Sequence, residues 1–368
     1  MSDQRSPGGT RLKQIDGLRG IAALSVLLGH WAELIAGQGA PTAWQEAIQR
    51  VFLEDFSFGR MGIVAFFCVS GFVIPFSFRG ERPMAAFPIS RVFRLYPAYW
   101  ASILAAVIVF PLIGADGFTP ARIAANLTMF QVFLGQDNIL EVYWTLFIEI
   151  LFYVTCYCLH GLGLLRERRT NLIALSGFVG LALAMGLLRW NDPDSHLAVG
   201  TPTYLAAMHF GALARLRFLE ADPRAVRTYR LGLLILIAGA TTANMLGGYK
   251  ASDEVLGWTA TVLGYLAGIL LFVLCIERGW FSGRVLPFFG LISYSLYLFH
   301  MIVIAAFAAY WPGSMGWIPA MVLTTPIYLA VTIASATLVH RWIEQPGIKL
   351  GRWVETQMDR HMDAVHRR

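Results

Sequence analysis

Three apolar stretches of the chain carry side chains suited to proton transfer. In the first, Ile15-Asp16-Gly17-Leu18-Arg19-Gly20 continues through apolar residues to His30-Trp31, which puts Arg19 and His30 eleven residues apart. On an α-helix eleven steps turn by about 1100°, within about 20° of whole turns, and rise about 16 Å, so the two side chains share one face. In the second, Tyr143-Trp144-Thr145-Leu146-Phe147-Ile148-Glu149-Ile150-Leu151-Phe152-Tyr153 holds a lone carboxylate, Glu149, about 9 Å below one helix end. His30 lies at a similar depth below the matching end of its own helix. Each would lower the cost of burying the other, which makes them an acid/base pair or a structural ion pair.

The third stretch places Ser293, Tyr297 and His300 in one stripe, which would line a cavity or bond to neighbouring helices. Ser70-Gly71 reads as a point of close helix packing. Arg91 and Arg94 precede an expected helix start near Pro97, a seat for phosphates or a pair of positive membrane anchors. Asp16 reads as a helix N-cap or a buried polar group, and Glu344 stands at the end of the last apolar stretch.

The elements that must position these groups follow from composition. Of 368 residues 57% are hydrophobic and 14% charged, against about 25% charged in ordinary soluble domains. That balance excludes a soluble enzyme and a disordered chain, and the long apolar runs point to membrane-spanning helices rather than a barrel. Runs over 15–37, 60–79, 98–114, 143–165, 171–189, 202–217, 230–247, 256–277, 289–311 and 317–342 give an all-α bundle of about ten transmembrane helices. With those runs, 24 of the 29 Lys and Arg fall on the side of both termini and 5 on the other, which places both termini in the cytoplasm. One domain over 15–345 is expected, between a cytoplasmic segment 1–14 and a cytoplasmic tail 346–368. The net charge of +6 is explained by orientation in the bilayer and not by nucleic acid. Cys68, Cys156, Cys158 and Cys275 read as buried thiols rather than disulfides or metal ligands, and no metal is expected. The first run resembles a signal peptide in its flanks, but cleavage would discard the most polar helix of the chain. No P-loop, Gly-x-Ser-x-Gly elbow, His-Glu-x-x-His or dinucleotide fingerprint is present, so any chemistry takes place within the membrane. On the residues alone, a proton relay through His30, Glu149 and the stripe would also suit a proton-coupled transporter of a small solute.

Six segments, in order, resemble the acyltransferase-3 family of membrane acyltransferases. They are Ile15 to Gly20 leading to His30, Phe66 to Ile74 around Ser70-Gly71, Arg91-Val92-Phe93-Arg94-Leu95-Tyr96-Pro97, Trp144 to Glu149 before Phe152-Tyr153, Ser293 to His300, and Arg341-Trp342-Ile343-Glu344-Gln345-Pro346. Two departures stand out: Glu149 is followed by Ile150 where the family often has a second acid, and Phe93 precedes Arg94 where it often has two arginines. The resemblance implies an O-acyltransferase of the bacterial inner membrane, in the form without a soluble C-terminal domain. It implies no tightly bound cofactor, acyl-coenzyme A (in most cases acetyl-coenzyme A) as donor, and an acceptor hydroxyl on a cell-surface or exported saccharide. A macrolide-like small molecule or a lipid remains as an alternative acceptor. Arg91, Arg94 and Arg19 would then meet the phosphates of the donor, with His30 as general base and Glu149 orienting it. An acyl-histidine intermediate is the minor alternative.

Overall fold

The computed structural model describes residues 13–38, 42–195, 197–220, 222–248 and 257–366, and among these its regular elements are all helical. The chain runs through α1 (Lys13–Ala36), the short α2 (Ala43–Gln49), α3 (Phe58–Val73), α4 (Pro83–Leu112), α5 (Pro120–Leu127), α6 (Trp144–Gly161) and α7 (Arg168–Asn191). It continues through α8 (Gly200–Phe218), α9 (Ala225–Gly248), α10 (Trp258–Arg278), α11 (Val285–Leu291), α12 (Ser293–Ala309), α13 (Trp317–Val339) and α14 (Gln345–His366). Of the basic residues used for orientation, Arg5, Arg11, Lys250, Arg367 and Arg368 lie outside the described residues, as do residues 1–12 of the N-terminal segment.

Among the described residues eight helices are long and apolar enough to cross a membrane, and nine when α11 and α12, bent by 76° at Ile292, are taken as one span. The tenth expected span exists as α8 but is not among them. Its sequence carries Thr201, Thr203, His209, Arg215 and Arg217, and most of its residues are buried. Helices in lipid gain little from apolar contact with one another, so close approach depends on small residues. Gly71 of α3 faces the backbone of Met208 in α8, and Gly211 of α8 faces the backbone of Cys68. A Cβ at either position would overlap a carbonyl oxygen, which is the packing role expected of the Ser70-Gly71 pair.

The third span begins much earlier than its sequence suggests. Pro83 occupies the first turn of α4, where a missing N–H costs nothing, and the helix continues for 30 residues with Pro88, Pro97 and Pro111 inside it. Pro97 is therefore an interior proline and not a start. Arg91 and Arg94 project from the body of α4 and not from its N-terminus. Residues 122–135 complete α5 and continue in turns. Three of the four cysteines are buried thiols, but Cys158 is exposed, on the opposite side of α6 from Cys156. Residues of the expected tail form α14, joined to α13 by a π-helical turn over His340–Glu344. Gly347 and Gly351 bring α14 against Phe93 and Pro97 of α4.

Candidate active site

His30 and His300 form the first of two polar layers. The α1 and α12 helices run side by side, and the two imidazole rings lie 5.4 Å apart at a tilt of 30°. His30 Nδ1 is 2.8 Å from Glu33 Oε2, one helical turn further along α1. A carboxylate only accepts, so the proton of a neutral His30 sits on Nδ1 and Nε2 keeps its lone pair. His300 Nδ1 donates to the Tyr297 carbonyl at 2.7 Å. Its Nε2 is thereby an acceptor, buried and without a partner among the described residues. The Tyr297 hydroxyl donates to the Val142 carbonyl at 3.0 Å and lies 2.8 Å from Thr145 Oγ1, which ties α12 to the start of α6.

That tie fixes the depth of Glu149. The start of α6 is drawn into the bundle to the level of Tyr297, so Glu149, seven residues beyond Val142, lies about 10 Å further toward the face where α1 begins. His300 lies about 5 Å the other way along α12. The expected pairing of His30 with Glu149 is therefore not made, since the two are about 15 Å apart in depth. Counting residues from an assumed outer helix end misplaces the carboxylate by nearly three turns. Glu149 instead accepts from the Tyr153 hydroxyl at 2.7 Å, and Glu33 is the acid that holds His30.

The second layer surrounds Arg19, which lies in the electrostatic field of Arg94, Asp16, Glu344 and Glu149. Three carboxylates thus offset arginines that would otherwise repel one another. Arg91 is held between the rings of Phe87 and Tyr153, at 5.5 and 5.7 Å from their centroids, and its Nε is buried without a hydrogen-bond partner. Glu344 is buried and accepts from Ser295 Oγ at 2.8 Å and from His340 Nδ1 at 2.9 Å. Asp16 lies in the first helical turn of α1, which begins at Lys13, so it is not an N-cap. Ser293 bonds within the α11–α12 bend, to the Gly290 carbonyl at 2.9 Å, and does not reach the histidines. Trp144 lines a cavity with Arg60 and Tyr204 that neither His30 nor His300 lines.

The structure brings together His30 with His300 and Tyr297 in one layer, and Arg19 with Asp16, Arg94, Glu149 and Glu344 in the other. Sequence reasoning passed over Glu33, although a carboxylate three residues after a histidine is a helical neighbour. Tyr153, quoted only as part of a motif, links Glu149 with Arg91. Chemically, the first layer presents two unprotonated ring nitrogens able to take a proton from a hydroxyl. The second presents a buried guanidinium with spare donor capacity for an anion.

Comparison with known proteins gives the family of the chain. The family described as the acyltransferase domain, acyltransferase family 3, matches residues 12–341. Nodulation protein 10 of Rhizobium leguminosarum bv. viciae is 25% identical over 95% of this chain and 96% of its own length. A Staphylococcus aureus (strain COL) protein named "Putative O-acetyltransferase" is 27% identical over 92% of this chain, which spans only 58% of that relative. The acyltransferase MdmB of Streptomyces mycarofaciens is 30% identical over 40% of this chain and 39% of its own length. No solved structure matches. A match over nearly the whole chain, on a bundle of long apolar helices, identifies this protein as a multi-pass membrane acyltransferase of the acyltransferase-3 family.

Proposed function

We propose that the protein transfers an acyl group, most simply acetyl, from acyl-coenzyme A to a hydroxyl of a cell-surface or exported saccharide, in the bacterial inner membrane with both termini cytoplasmic. The observation that carries this reading is the stacking of two layers along α1. An anion-binding arginine layer at Arg19 lies about 16 Å from a histidine layer at His30. Arg19, Arg91 and Arg94 would seat the donor phosphates, and the pantetheine arm is a linear chain suited to carry the thioester from one layer to the other.

At the histidine layer the acceptor hydroxyl attacks the thioester carbonyl while its proton passes to His30 Nε2. Collapse of the tetrahedral intermediate breaks the carbon–sulfur bond, and the His30 proton passes to the leaving thiolate. Glu33 keeps the imidazole oriented and stabilises its charged form, and the neighbouring His300 ring, 5.4 Å away between centroids, adds a second neutral base to the layer. Glu149 with Tyr153 holds the arginine layer. General base catalysis contributes about 10²–10⁴ in rate, and holding donor and acceptor together contributes more.

The test is transfer of label from acetyl-coenzyme A in membranes containing the protein. Label in the glycan fraction, released by hydroxylamine as an ester is, supports the reading. Label that appears only in lipid or in a small molecule keeps the chemistry and replaces the acceptor, and label in no acceptor contradicts the assignment of donor.

A further inference from the structure

Far along the chain from the histidine layer, the beginnings of α7 and α9 lie side by side and enclose a groove of about 840 Å³. Five arginines line it: Arg168 and Arg169 from the first turn of α7, Arg224 before α9, and Arg227 and Arg230 from its first two turns. Arg168 is 3.7 Å from Asp222. Arg169, Arg224, Arg227 and Arg230 make no ion pair among the described residues. Helix N-termini carry the positive end of the macrodipole, so four unpaired guanidiniums at two adjacent N-termini repel both the helices and one another. A preference for positive charge on one side of the membrane accounts for the sign of these residues. The groove between α7 and α9 is what brings their guanidiniums together.

The same groove has an apolar wall. Leu231 and Leu234 are 44% and 66% exposed, and both line it. Arg227, Arg230, Leu231 and Leu234 follow the spacing of one helix face, so Leu234 lies about 6 Å deeper along α9 than Arg230. Guanidiniums at headgroup depth above leucines at acyl depth match a molecule that carries phosphate and hydrocarbon in that order. Leucines exposed on a membrane-spanning helix meet acyl chains in any case, so the arginines carry the preference for phosphate and the leucines add the hydrocarbon contact that a free phosphate lacks.

We propose that this groove binds an anionic phospholipid, with its phosphate among Arg169, Arg224, Arg227 and Arg230 and an acyl chain against Leu231 and Leu234. Four unpaired arginines favour a headgroup with two phosphates, as in cardiolipin, over one with a single phosphate. The lipid offsets the repulsion between the two helix ends and fixes α7 against α9. It takes no part in acyl transfer, and the site stands whether or not the donor and acceptor are those proposed above.

The test uses the full chain purified in detergent, with binding of cardiolipin, phosphatidylglycerol, phosphatidylcholine and inorganic phosphate read by native mass spectrometry. Cardiolipin is expected to bind tightest and phosphatidylcholine weakest. Two arginines at a membrane surface are together worth about thirtyfold in affinity, so Arg227→Gln with Arg230→Gln should weaken cardiolipin by about that factor. Both side chains are exposed, so the double variant should fold, and Arg352→Gln on α14 serves as an exposed-arginine control that leaves lipid binding unchanged. Leu234→Gln should weaken cardiolipin but not inorganic phosphate. Equal binding of phosphatidylcholine, or a double variant that binds as the wild type does, overturns the proposal. So does a Leu234→Gln variant with unaltered lipid binding, which would leave a simple anion site. Displacement of cardiolipin by equimolar coenzyme A would give the groove to the acyl donor and likewise overturn it.

Discussion

Replacement of Glu33 separates the histidine layer seen in the structure from the His30–Glu149 pair that the sequence suggests. Glu33 Oε2 lies 2.8 Å from His30 Nδ1, and the Glu33 side chain is 40% exposed. Hydrogen bonds to charged groups contribute about 1.5–3 kcal/mol and neutral ones about 0.5–1.5 kcal/mol. Glu33→Gln keeps an acceptor and loses the charge, so its cost is the difference, about 1 kcal/mol after allowing for solvent, or about fivefold in kcat/KM. Glu33→Ala also frees the ring to rotate and should cost about 30-fold, the whole of a charge-assisted bond of about 2 kcal/mol. The assay is initial-rate transfer from labelled acetyl-coenzyme A at saturating and limiting donor, with helical content checked by circular dichroism. Glu33 variants should lower kcat at unchanged KM for the donor. Glu149→Gln should do the reverse and raise the donor KM, because Glu149 belongs to the arginine layer. A Glu33→Ala enzyme with wild-type kcat, beside a Glu149→Gln enzyme that has lost kcat alone, would refute the assignment.

Other outcomes follow from the same geometry. His300→Ala removes the imidazole that packs beside His30 and should lower kcat about tenfold, a loss of about 1.4 kcal/mol of stabilisation around the charged ring, while coenzyme A binding read by calorimetry stays unchanged. Arg91→Gln should raise the donor KM about tenfold by removing one charge-assisted phosphate contact, and Arg91→Lys should restore it only in part. Gly71→Ala places a Cβ on the Met208 carbonyl, so α3 and α8 must separate. It should lower the thermal midpoint of the detergent-solubilised protein by several degrees, in keeping with an overpacking cost of about 1–3 kcal/mol.

Much of this was legible in the residues. The eleven-residue interval between Arg19 and His30 gave two levels on one helix, and the apolar runs gave the helices, because both depend on a local period. Depth across the bundle was not legible. A helix taken to start at the membrane surface puts Glu149 level with His30, whereas the Tyr297–Val142 bond draws that start inward. Proline misled for a related reason: Pro97 has the chemistry of a helix start, but only the earlier Pro83 shows that the helix is already under way. The bend at Ile292 and the exposure of Cys158 depend on which neighbours a helix face meets, and no local spacing carries that information.

The most direct test of the account is single-turnover transfer by His30→Ala, with donor binding measured on the same preparation. The account predicts coenzyme A affinity within about twofold of wild type and transfer reduced by about 10²–10⁴, the usual contribution of a general base. A folded His30→Ala protein that binds the donor and transfers at a rate within threefold of wild type would contradict it.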